Sequence, residues 1–232
     1  MIVFKGGYIL TFKAIFLDFY GTVVHEDDNI IPIICEQIME RSLIECTVKE
    51  IGQYWWNSFS KLFQNSYGET FKTQRNLGIK SLNETIQHFK SNCIAEELIQ
   101  MQFNHWQEPG IFEDSLSFVK NCELPIYILS NIDTEDIMSA IKYHDIPVDG
   151  VITSEDVRSY KPRSEIFIKA LKKFDLKNNE VVHIGDSLTS DVIGAQTMGI
   201  HAVWINRKNK LKPEHINPDY IFKNLLEVKM IL

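Results

Sequence analysis

The sequence predicts an α/β fold built on a doubly wound parallel sheet with an inserted all-helical segment. Short apolar runs rich in Ile, Val and aromatic residues recur along the chain and end in polar clusters, and helical stretches separate most of them. Such runs are typical of strands that are buried on both faces of a parallel sheet. Their alternation with helices implies βαβ crossovers, and one long stretch without a convincing strand indicates the insertion.

The predicted strands are five apolar runs. They cover, in chain order, 13–18, 125–131, 150–156, 181–186 and 201–206. Because ligands bind at the carboxyl ends of the strands in such sheets, the polar residues that end these runs are candidates for function. After the last run, residues 209–219 contain two prolines and are expected to form a loop before a final short strand or helix.

Helical patterns fill the spaces between the strands and make up the whole insertion. Those outside the insertion are predicted at 115–122, 134–145, 163–175 and 188–199. Those of the insertion are predicted at 30–44, 47–66, 69–77, 81–91 and 94–106. The predicted domains are therefore a core of residues 1–24 and 109–232, and an insertion of residues 25–108.

An aromatic stripe marks the second helix of the insertion. Apolar residues recur there at every fourth position, as on one face of a helix. They are Ile51, Trp55, Phe59 and Phe63, and Trp56 lies beside them. We expect these aromatic side chains to pack the helices against one another rather than to line a pocket.

The composition is that of an ordinary globular protein, with 44% hydrophobic and 24% charged residues. The net charge of −7 argues against sequence-independent nucleic-acid binding, which depends on Lys and Arg neutralising phosphates. A small anionic substrate is compatible with this charge, because a few local cations and backbone N–H groups suffice to bind one. The four cysteines have no C-x-x-C spacing and are expected to be reduced thiols.

The N-terminal segment does not have the pattern of a targeting signal. Lys5, Gly6 and Gly7 interrupt its apolar residues, and the parts of a secretory signal peptide are not recognisable. No run approaches the ~20 apolar residues that a transmembrane helix needs. We therefore expect a cytoplasmic protein without a membrane partner, in which residues 1–11 are a leader before the fold begins near Phe12. The sequence leaves the oligomeric state open.

Asp18 ends the first apolar run and is the strongest single candidate for chemistry. A carboxylate at the carboxyl end of a buried strand can act as a nucleophile or as a metal ligand. Gly21 permits a tight turn after it, and Thr22 can cap the turn or helix that follows. Alone, this short pattern fits equally well a carboxylate that only caps a turn.

Two further strand ends and one loop carry polar groups. Ser130 and Asn131 can hold a phosphoryl oxygen through a hydroxyl and a backbone N–H, although Ser-Asn is also a common loop start. Lys161 precedes a proline that fixes the local backbone, and it could screen an anionic substrate from a carboxylate; in isolation it fits a surface lysine. Asp186 and Asp191 beside Asp18 would form a hard oxygen site suited to Mg²⁺, or else decorate a helix start.

The order of these fragments is more specific than any one of them. The chain contains "AIFLDFYGT", "ILSN", "SYKPRSEIF" and "HIGDSLTSDVIGA" in that order. In this it resembles the haloacid dehalogenase superfamily of hydrolases, over about 12–24 and 110–208. The resemblance implies a Rossmann-like core, and the helical insertion corresponds to the cap domain of many members.

The resemblance also implies roles for single residues. Asp18 would be the nucleophile that forms a covalent intermediate, with Lys161 neutralising charge beside it. Ser130 and the Asn131 N–H would hold the phosphoryl oxygens, with Phe19 and Tyr20 as further substrate-binding residues. Mg²⁺ would be held by Asp18, Asp186 and the main-chain carbonyl of Tyr20. Asp191 and Thr22 would support this site from behind.

Tyr20 departs from the phosphatase pattern. Phosphatases of the family usually have a second aspartate there, which protonates the leaving oxygen and then activates water, worth ~10²–10⁴-fold in rate. Tyrosine, with an ordinary pKa of about 10, is a poor base near neutrality. The form D-x-Y-G-T resembles the metal-independent 2-haloacid dehalogenase branch instead. His25, at the junction with the cap, is a candidate replacement, although such a histidine is more often surface decoration.

The acids at the other end of the site favour the phosphatase. Asp186 and Asp191 next to Asp18 would be costly like-charge crowding without a cation. We therefore expect Mg²⁺-dependent hydrolysis of a small phosphomonoester, a phosphorylated metabolite, through a phospho-aspartate on Asp18. The alternatives are a 2-haloacid dehalogenase that uses the same nucleophile, and a weakly active or non-catalytic binding protein.

Overall fold

The computed structural model describes residues 11–232. Nearly all of the predicted leader, residues 1–10, lies outside the described residues. Within them the elements alternate between strands and helices on both sides of one long helical segment.

One parallel sheet forms the centre of the described chain. Its six strands are arranged in the order β3-β2-β1-β4-β5-β6. They are β1 (Ala14–Leu17), β2 (Ile126–Ser130), β3 (Gly150–Thr153), β4 (Val181–Gly185), β5 (His201–Ile205) and β6 (Tyr220–Phe222). The predicted α/β fold with a doubly wound parallel sheet is confirmed, and the loop at 209–219 is followed by the short strand β6 and then by a 3₁₀ segment.

The position of β1 in this order places the first polar motif centrally. Register pairs Leu17 with Ile128 of β2 on one side and with Ile184 of β4 on the other. The chain leaves β1 towards β2 and later returns to its other side at β4, which is the switch point of a doubly wound sheet. The carboxyl ends of these three strands therefore meet at one edge.

Helices cover the sheet and build the insertion. The insertion contains α1 (Ile31–Glu40), α2 (Val48–Gln64), α3 (Gln74–His88), α4 (Ala95–Leu98) and α5 (Gln100–Gln107). The others are α6 (Glu113–Lys120), α7 (Thr134–Tyr143), α8 (Ser154–Val157), α9 (Glu165–Lys173) and α10 (Gly194–Thr197). Short 3₁₀ segments occur at Asp27–Asn29, Gly68–Thr70, Asn178–Glu180 and Leu225–Met230, and a π-helical turn spans Leu188–Ile193.

The helices predicted at 69–77 and 81–91 are wrong as separate elements. They form the single helix α3, whose first turn is capped by the Thr73 hydroxyl. Gly78 lies in its middle, where glycine costs ~1 kcal/mol relative to alanine and so weakens the sequence pattern. An added Cβ there would lie 3.0 Å from Cδ1 of Ile99, so the glycine permits close packing against the residue that precedes α5.

Two buried ionic contacts hold the helical insertion on the core. The carboxylate of Asp133, just after β2, accepts hydrogen bonds from the backbone N–H groups of Gln74 (2.7 Å) and Arg75 (3.0 Å) at the start of α3. An anion is favourable at a helix N-terminus. The Arg75 guanidinium also donates two hydrogen bonds to the fully buried carboxylate of Asp136 in α7. Both contacts fix α3 over the carboxyl edge of the sheet.

The hydrophobic core lies on both faces of the sheet. One cluster continues from the sheet into the insertion, through residues such as Phe19, Ile34 and Trp106. The other fills the opposite face, around Phe16, Phe167 and Trp204. No helix in the described part of the chain is both long and apolar enough to cross a membrane.

Candidate active site

The polar residues that end β1, β2 and β4 meet at the carboxyl edge of the sheet. Asp18, Ser130 and Asp186 each follow or end one of these neighbouring strands, and all three line one cavity. The Asp18 N–H donates to the carbonyl of Ile184 at 2.9 Å, which continues the β1–β4 ladder and fixes the start of the turn. The parallel register therefore brings together side chains that are far apart in sequence.

Lys161 lies between two of the carboxylates. Its ammonium group donates to Oδ1 of Asp18 at 2.8 Å, to Oδ1 of Asp191 at 2.6 Å and to the carbonyl of Leu129 at 2.8 Å. Its side chain is 1% exposed, so these three acceptors satisfy all three of its N–H groups out of contact with water. Far from being a surface residue, this lysine is the central cation of the site.

Asn131 positions that lysine. The Asn131 side chain accepts a hydrogen bond from the Lys161 N–H at 2.7 Å and donates one to the Lys161 carbonyl at 3.0 Å. The amide thus clamps the backbone of the loop that delivers the ammonium group. The predicted contribution of the Asn131 backbone N–H to substrate binding is compatible with this clamp, because the side chain alone is used.

The buried network extends into the sheet through His183. Its Nε2 lies 2.9 Å from Oδ1 of Asp191, while its Nδ1 is buried without a partner. Oδ2 of Asp191 accepts a hydrogen bond from the backbone N–H of Ser187 at 3.0 Å. Burial lowers the pKa of His183, so the ring is neutral near pH 7 and donates to Asp191.

The charge states of the network follow from burial and from Lys161. Burial raises the pKa of Asp18 to about 6, although Lys161 opposes the shift. Burial also opposes ionisation of Asp191, but Lys161 and His183 hold the pKa of that carboxyl well below its usual range. For Lys161, burial favours the neutral form, yet the two aspartates outweigh it and raise the pKa of the ammonium group to about 12.

Asp186 lies against the turn that follows the first strand. Gly21 has φ +86°, and a Cβ built on it would lie 2.7 Å from Oδ1 of Asp186. Glycine is therefore required both by the backbone conformation and by the approach of the carboxylate. Burial raises the pKa of Asp186 well above its ordinary value, and Glu26 and Asp18 add to the shift. The ammonium group of Lys210, which is half-exposed, lies 3.6 Å from Oδ2 of Asp186.

Three carboxylates of the described chain lie close enough to hold one metal ion. Single oxygens of Asp18, Asp186 and Asp191 all lie within 4.8 Å of one another. Hard divalent cations such as Mg²⁺ prefer carboxylate oxygens of this kind. Asp191 already binds Lys161 and His183, whereas the ionised form of Asp186 is disfavoured by burial and by the neighbouring carboxylates, so a bound cation would stabilise it. This donor set fits Mg²⁺ held mainly by Asp18 and Asp186.

Thr22 and Phe19 make contacts that differ from those expected for them. The Thr22 hydroxyl donates to Oδ2 of Asp18 at 3.0 Å, so Thr22 fixes the carboxylate rather than capping a helix. The prediction that Phe19 binds substrate is wrong for its side chain, which is fully buried in the core and does not line the cavity. In an extended strand end, neighbouring side chains point to opposite faces, which sends Phe19 away from the side of Asp18.

Tyr20 connects the turn that follows Asp18 to the insertion. It lines the cavity, and its hydroxyl donates to the carbonyl of Trp106 in α5 at 2.5 Å. Burial raises the pKa of Tyr20 well above 10, and Asp136 and Asp27 add to the shift. The hydroxyl is therefore neutral and already engaged, so it is no replacement for a catalytic aspartate.

The cavity of about 570 Å³ lies between the sheet edge and the insertion. The insertion contributes Trp55, Trp56, Phe59 and Phe63 to its lining, together with Gln74 and Gln102. The expectation that the aromatic stripe only packs helices is wrong. One face of α2 is buried through Ile51 and Trp55, but Trp56 is 64% exposed. Helical spacing alone does not distinguish a buried neighbour from a cavity.

The comparisons with known proteins agree with this site. Residues 15–205 match the family of haloacid dehalogenase-like hydrolases. The chain belongs to this family. The resemblance inferred from the four motifs is thereby confirmed, and the chain is a hydrolase of the haloacid dehalogenase type.

Curated relatives of this hydrolase include proteins with different activities. Haloacid dehalogenase-like hydrolase domain-containing protein 3 of Danio rerio is 29% identical over 185 residues, 76% of this chain and 68% of the relative. The (S)-2-haloacid dehalogenase of Pseudomonas fluorescens is 24% identical over 222 residues, 91% of this chain and 92% of the relative. The phosphoserine phosphatase of Thermus thermophilus is 26% identical over 141 residues, only 58% of this chain and 56% of the relative.

Solved structures share the fold of this hydrolase over nearly its whole length. L-2-haloacid dehalogenase from Xanthobacter autotrophicus has a TM-score of 0.74 at 15% identity, covering 95% of this chain and 98% of that one. A magnesium-bound HAD-hydrolase from Bacillus subtilis, YfnB, has a TM-score of 0.72 at 19% identity, covering 96% and 99%. At these identities the likeness shows the common fold alone.

Several residues at the site of this hydrolase were not predicted as functional, and one predicted candidate, His25, does not line the cavity. His183 lies within the buried strand β4, and nothing in the strand pattern indicates its contact with Asp191. Asp27 lines the cavity and accepts hydrogen bonds from Trp106 and Gln102. His25, proposed as the missing acid or base, is exposed and contacts Phe112, with ring centroids 4.0 Å apart and ring planes tilted by 38°, outside the cavity lining.

Proposed function

We propose that the chain is a Mg²⁺-dependent phosphatase that hydrolyses a small phosphomonoester through a phospho-aspartate on Asp18. The observation that carries the proposal is the proximity of Asp186 to Asp18, with oxygens within 4.8 Å, while the cation that pairs with Asp186 is the half-exposed Lys210. Like charges at this distance are costly unless a cation lies between them. A bound Mg²⁺ would neutralise this pair and shield the anionic nucleophile from the anionic substrate.

The proposed ligands of Mg²⁺ are the carboxylates of Asp18 and Asp186 and the main-chain carbonyl of Tyr20. Asp191 and Thr22 would support the site, Asp191 through Lys161 and Thr22 through its hydrogen bond to Asp18. The hydroxyl of Ser130, a buried residue that lines the cavity, would bind a phosphoryl oxygen together with the Asn131 N–H. Phosphoryl transfer depends chiefly on such positioning and charge neutralisation.

The proposed reaction has two steps at one carboxylate. An oxygen of Asp18 forms a bond to phosphorus as the bond from phosphorus to the alcohol oxygen breaks, and the alcohol leaves with a proton from water. Water then attacks the phospho-aspartate, which releases inorganic phosphate and restores Asp18. Lys161 stays protonated through both steps, because its raised pKa of about 12 keeps the ammonium group charged.

The second candidate is a 2-haloacid dehalogenase. Tyr20 and the full-length similarity to the Pseudomonas fluorescens dehalogenase favour it. The carboxylate cluster favours the phosphatase, because a Mg²⁺ held by Asp18 and Asp186 would offset the charge of an anionic phosphoryl group, whereas a metal-independent dehalogenase would leave this cluster without that cation. Among the described residues that line the cavity, Lys161 is the sole cation, and two aspartates already bind it.

Phosphate and halide release distinguish the candidates. We expect the wild type to release phosphate from p-nitrophenyl phosphate with Mg²⁺, and to lose this activity in EDTA and in Asp18→Asn. Halide release from 2-chloropropionate that survives EDTA would overturn the proposal in favour of the dehalogenase. Equal rates in the wild type and Asp18→Asn for both substrates would favour the non-catalytic binding protein.

A gain of function tests the part of Tyr20. Replacing the tyrosine by aspartate places a carboxyl group where it can protonate the leaving oxygen, so Tyr20→Asp should raise the rate for alkyl phosphates, whose alcohols leave poorly without a proton. Tyr20→Asn is the matched control, because it is of the same size without an acid. An equal effect of both variants would contradict this reasoning.

A further inference from the structure

The part of the cavity formed by the insertion has an aromatic wall. Trp56, Phe59 and Phe63 line it along one face of α2, with ring centroids 6.4 Å apart for the first pair and 5.7 Å for the second. Trp56 is 64% exposed, and Phe59 and Phe63 are half-buried. A row of rings that lines the cavity next to Asp18 is suited to contact a flat, apolar group.

Two buried acceptors in the same cavity have no donor. Gln102 donates through Nε2 to Oδ2 of Asp27 at 2.8 Å, and since only the amide nitrogen can donate to a carboxylate, its orientation is fixed. Its Oε1 is then buried without a partner, in a residue that is 8% exposed. Oε1 of Gln74 is equally buried and unpartnered. A buried acceptor without a hydrogen bond lowers the stability of the folded protein, and a hydrogen-bond donor on a ligand would remove that cost.

The charge of the lining adds a third constraint. Glu26, Asp27 and Asp28 line the cavity from the start of the insertion, and the only lining cation among the described residues is Lys161, at the opposite, sheet end. Lys208, which is not part of the lining, pairs with Glu26 and Asp28, but a second anionic group on the substrate would still meet no lining cation near Asp27, whose donors Trp106 and Gln102 are neutral. A neutral or cationic group with N–H or O–H donors would need no such cation.

We propose that the alcohol released by this site is an aromatic one, a phenol-type leaving group that carries hydrogen-bond donors and no second acidic group. The inference rests on the proposed phosphatase function and adds the class of its substrate. The ring would contact the wall of α2, and its donors would reach Gln74 and Gln102. A phenol also leaves more readily than an aliphatic alcohol, which suits a site where the hydroxyl of Tyr20 is bound to Trp106.

Three aryl or benzyl phosphates of similar size test the substrate class. Tyramine O-phosphate carries an ammonium donor, O-phosphorylated 3-(4-hydroxyphenyl)propanoate carries a carboxylate in its place, and the benzyl homologue of tyramine phosphate has an aliphatic leaving oxygen. We expect kcat/KM for tyramine O-phosphate to exceed both others by about tenfold or more. Equal or better turnover of the carboxylate compound or of the benzyl compound would overturn the inference.

A pair of variants tests the unpartnered acceptors. Gln74→Met keeps the length of the side chain and the backbone N–H that binds Asp133, but removes Oε1. It should reduce the preference for the amine over the carboxylate about tenfold. Gln53→Met, on the exposed side of α2 and outside the cavity lining, should leave the preference unchanged. An unchanged preference in Gln74→Met would contradict the assigned contact.

Binding of the free alcohols separates this inference from the proposed function. Calorimetry with tyramine and with 3-(4-hydroxyphenyl)propanoate measures recognition in the cavity without any turnover. Tighter binding of tyramine that is weakened in Gln74→Met, with no phosphate release from any compound, would refute the phosphatase and leave the cavity assignment standing. Phosphate release that depends on Asp18, with no discrimination between the two phenols in binding or turnover, would refute the cavity assignment alone.

Discussion

Replacement of Lys161 by methionine removes the one cation of the buried network. Its ammonium group binds Oδ1 of Asp18, Oδ1 of Asp191 and the carbonyl of Leu129, at 2.6 to 2.8 Å. Methionine fills similar space but leaves three acceptors without this donor and two carboxylates without their counter-charge. Asp191 keeps its contacts to His183 and to the Ser187 N–H, so part of the network survives.

The expected loss in the free energy of unfolding is about 3–5 kcal/mol, the range for breaking a buried ion pair on one side. The loss depends on pH in a definite direction. In the wild type the pKa of Asp18 is about 6, and removal of Lys161 raises it further. A raised carboxyl pKa in the folded state costs stability only at pH values where the group would otherwise be ionised. The deficit should therefore be largest near pH 8 and shrink as the pH falls towards 6.

Urea unfolding in EDTA, followed by tryptophan fluorescence, measures both effects by linear extrapolation. Lys169→Met is the matched control, because Lys169 is 41% exposed and lies 3.7 Å from Asp156, a pair expected to contribute less than about 1 kcal/mol. A Lys161→Met protein within about 1 kcal/mol of the wild type at pH 8, or a deficit that stays constant with pH, would refute the reasoning.

Three further outcomes follow from the site. Mg²⁺ should raise the Tm of the wild type in differential scanning fluorimetry, and more at pH 8 than at pH 5 because the ligands must be ionised to bind it. The Tm of Asp186→Asn should not rise. Equal shifts of Tm in both proteins would contradict Asp186 as a ligand. Tyr20→Phe should lower the free energy of unfolding by about 1–3 kcal/mol in urea titrations, because the Trp106 carbonyl loses its donor; an unchanged free energy of unfolding would argue against this structural role. In EDTA, Asp18→Asn should gain stability relative to the wild type as the pH rises from 3.8 to about 6, and the difference should stay constant above pH 6. Folding raises the pKa of Asp18 from 3.8 to about 6, so ionisation of this carboxyl lowers the stability of the wild type over that pH range, whereas asparagine does not ionise. A stability difference that is independent of pH would contradict the raised pKa.

The strands and the polar groups at their ends were predictable because both depend on local patterns. A buried parallel strand is an uninterrupted apolar run, and the ends of neighbouring strands must meet at one edge whatever lies between them. Asp18, Ser130 and Asp186 could therefore be placed at one edge from the sequence. The helix split at 77–81 failed because Gly78 weakens a local pattern that packing against Ile99 compensates.

The contacts made across the insertion were not predictable from local patterns. Gln74 and Gln102 belong to different helices, and their unpartnered oxygens emerge only when α3 and α5 are docked over the sheet. His183 has the pattern of any strand residue, and its partner Asp191 comes from the turn after the strand. His25 was a reasonable candidate by position, but the direction of its side chain is set by packing on Phe112.

The hydrogen bond from Tyr20 to Trp106 has a kinetic consequence. It joins the turn that follows Asp18 to the last turn of α5, so any opening of the insertion away from the sheet must break it or displace the turn with it. In the proposed reaction, escape of the alcohol and entry of water to the phospho-aspartate would then share one barrier. Tyr20, which occupies the position of the usual proton donor, would in this way determine the lifetime of the proposed phospho-aspartate rather than its rate of formation.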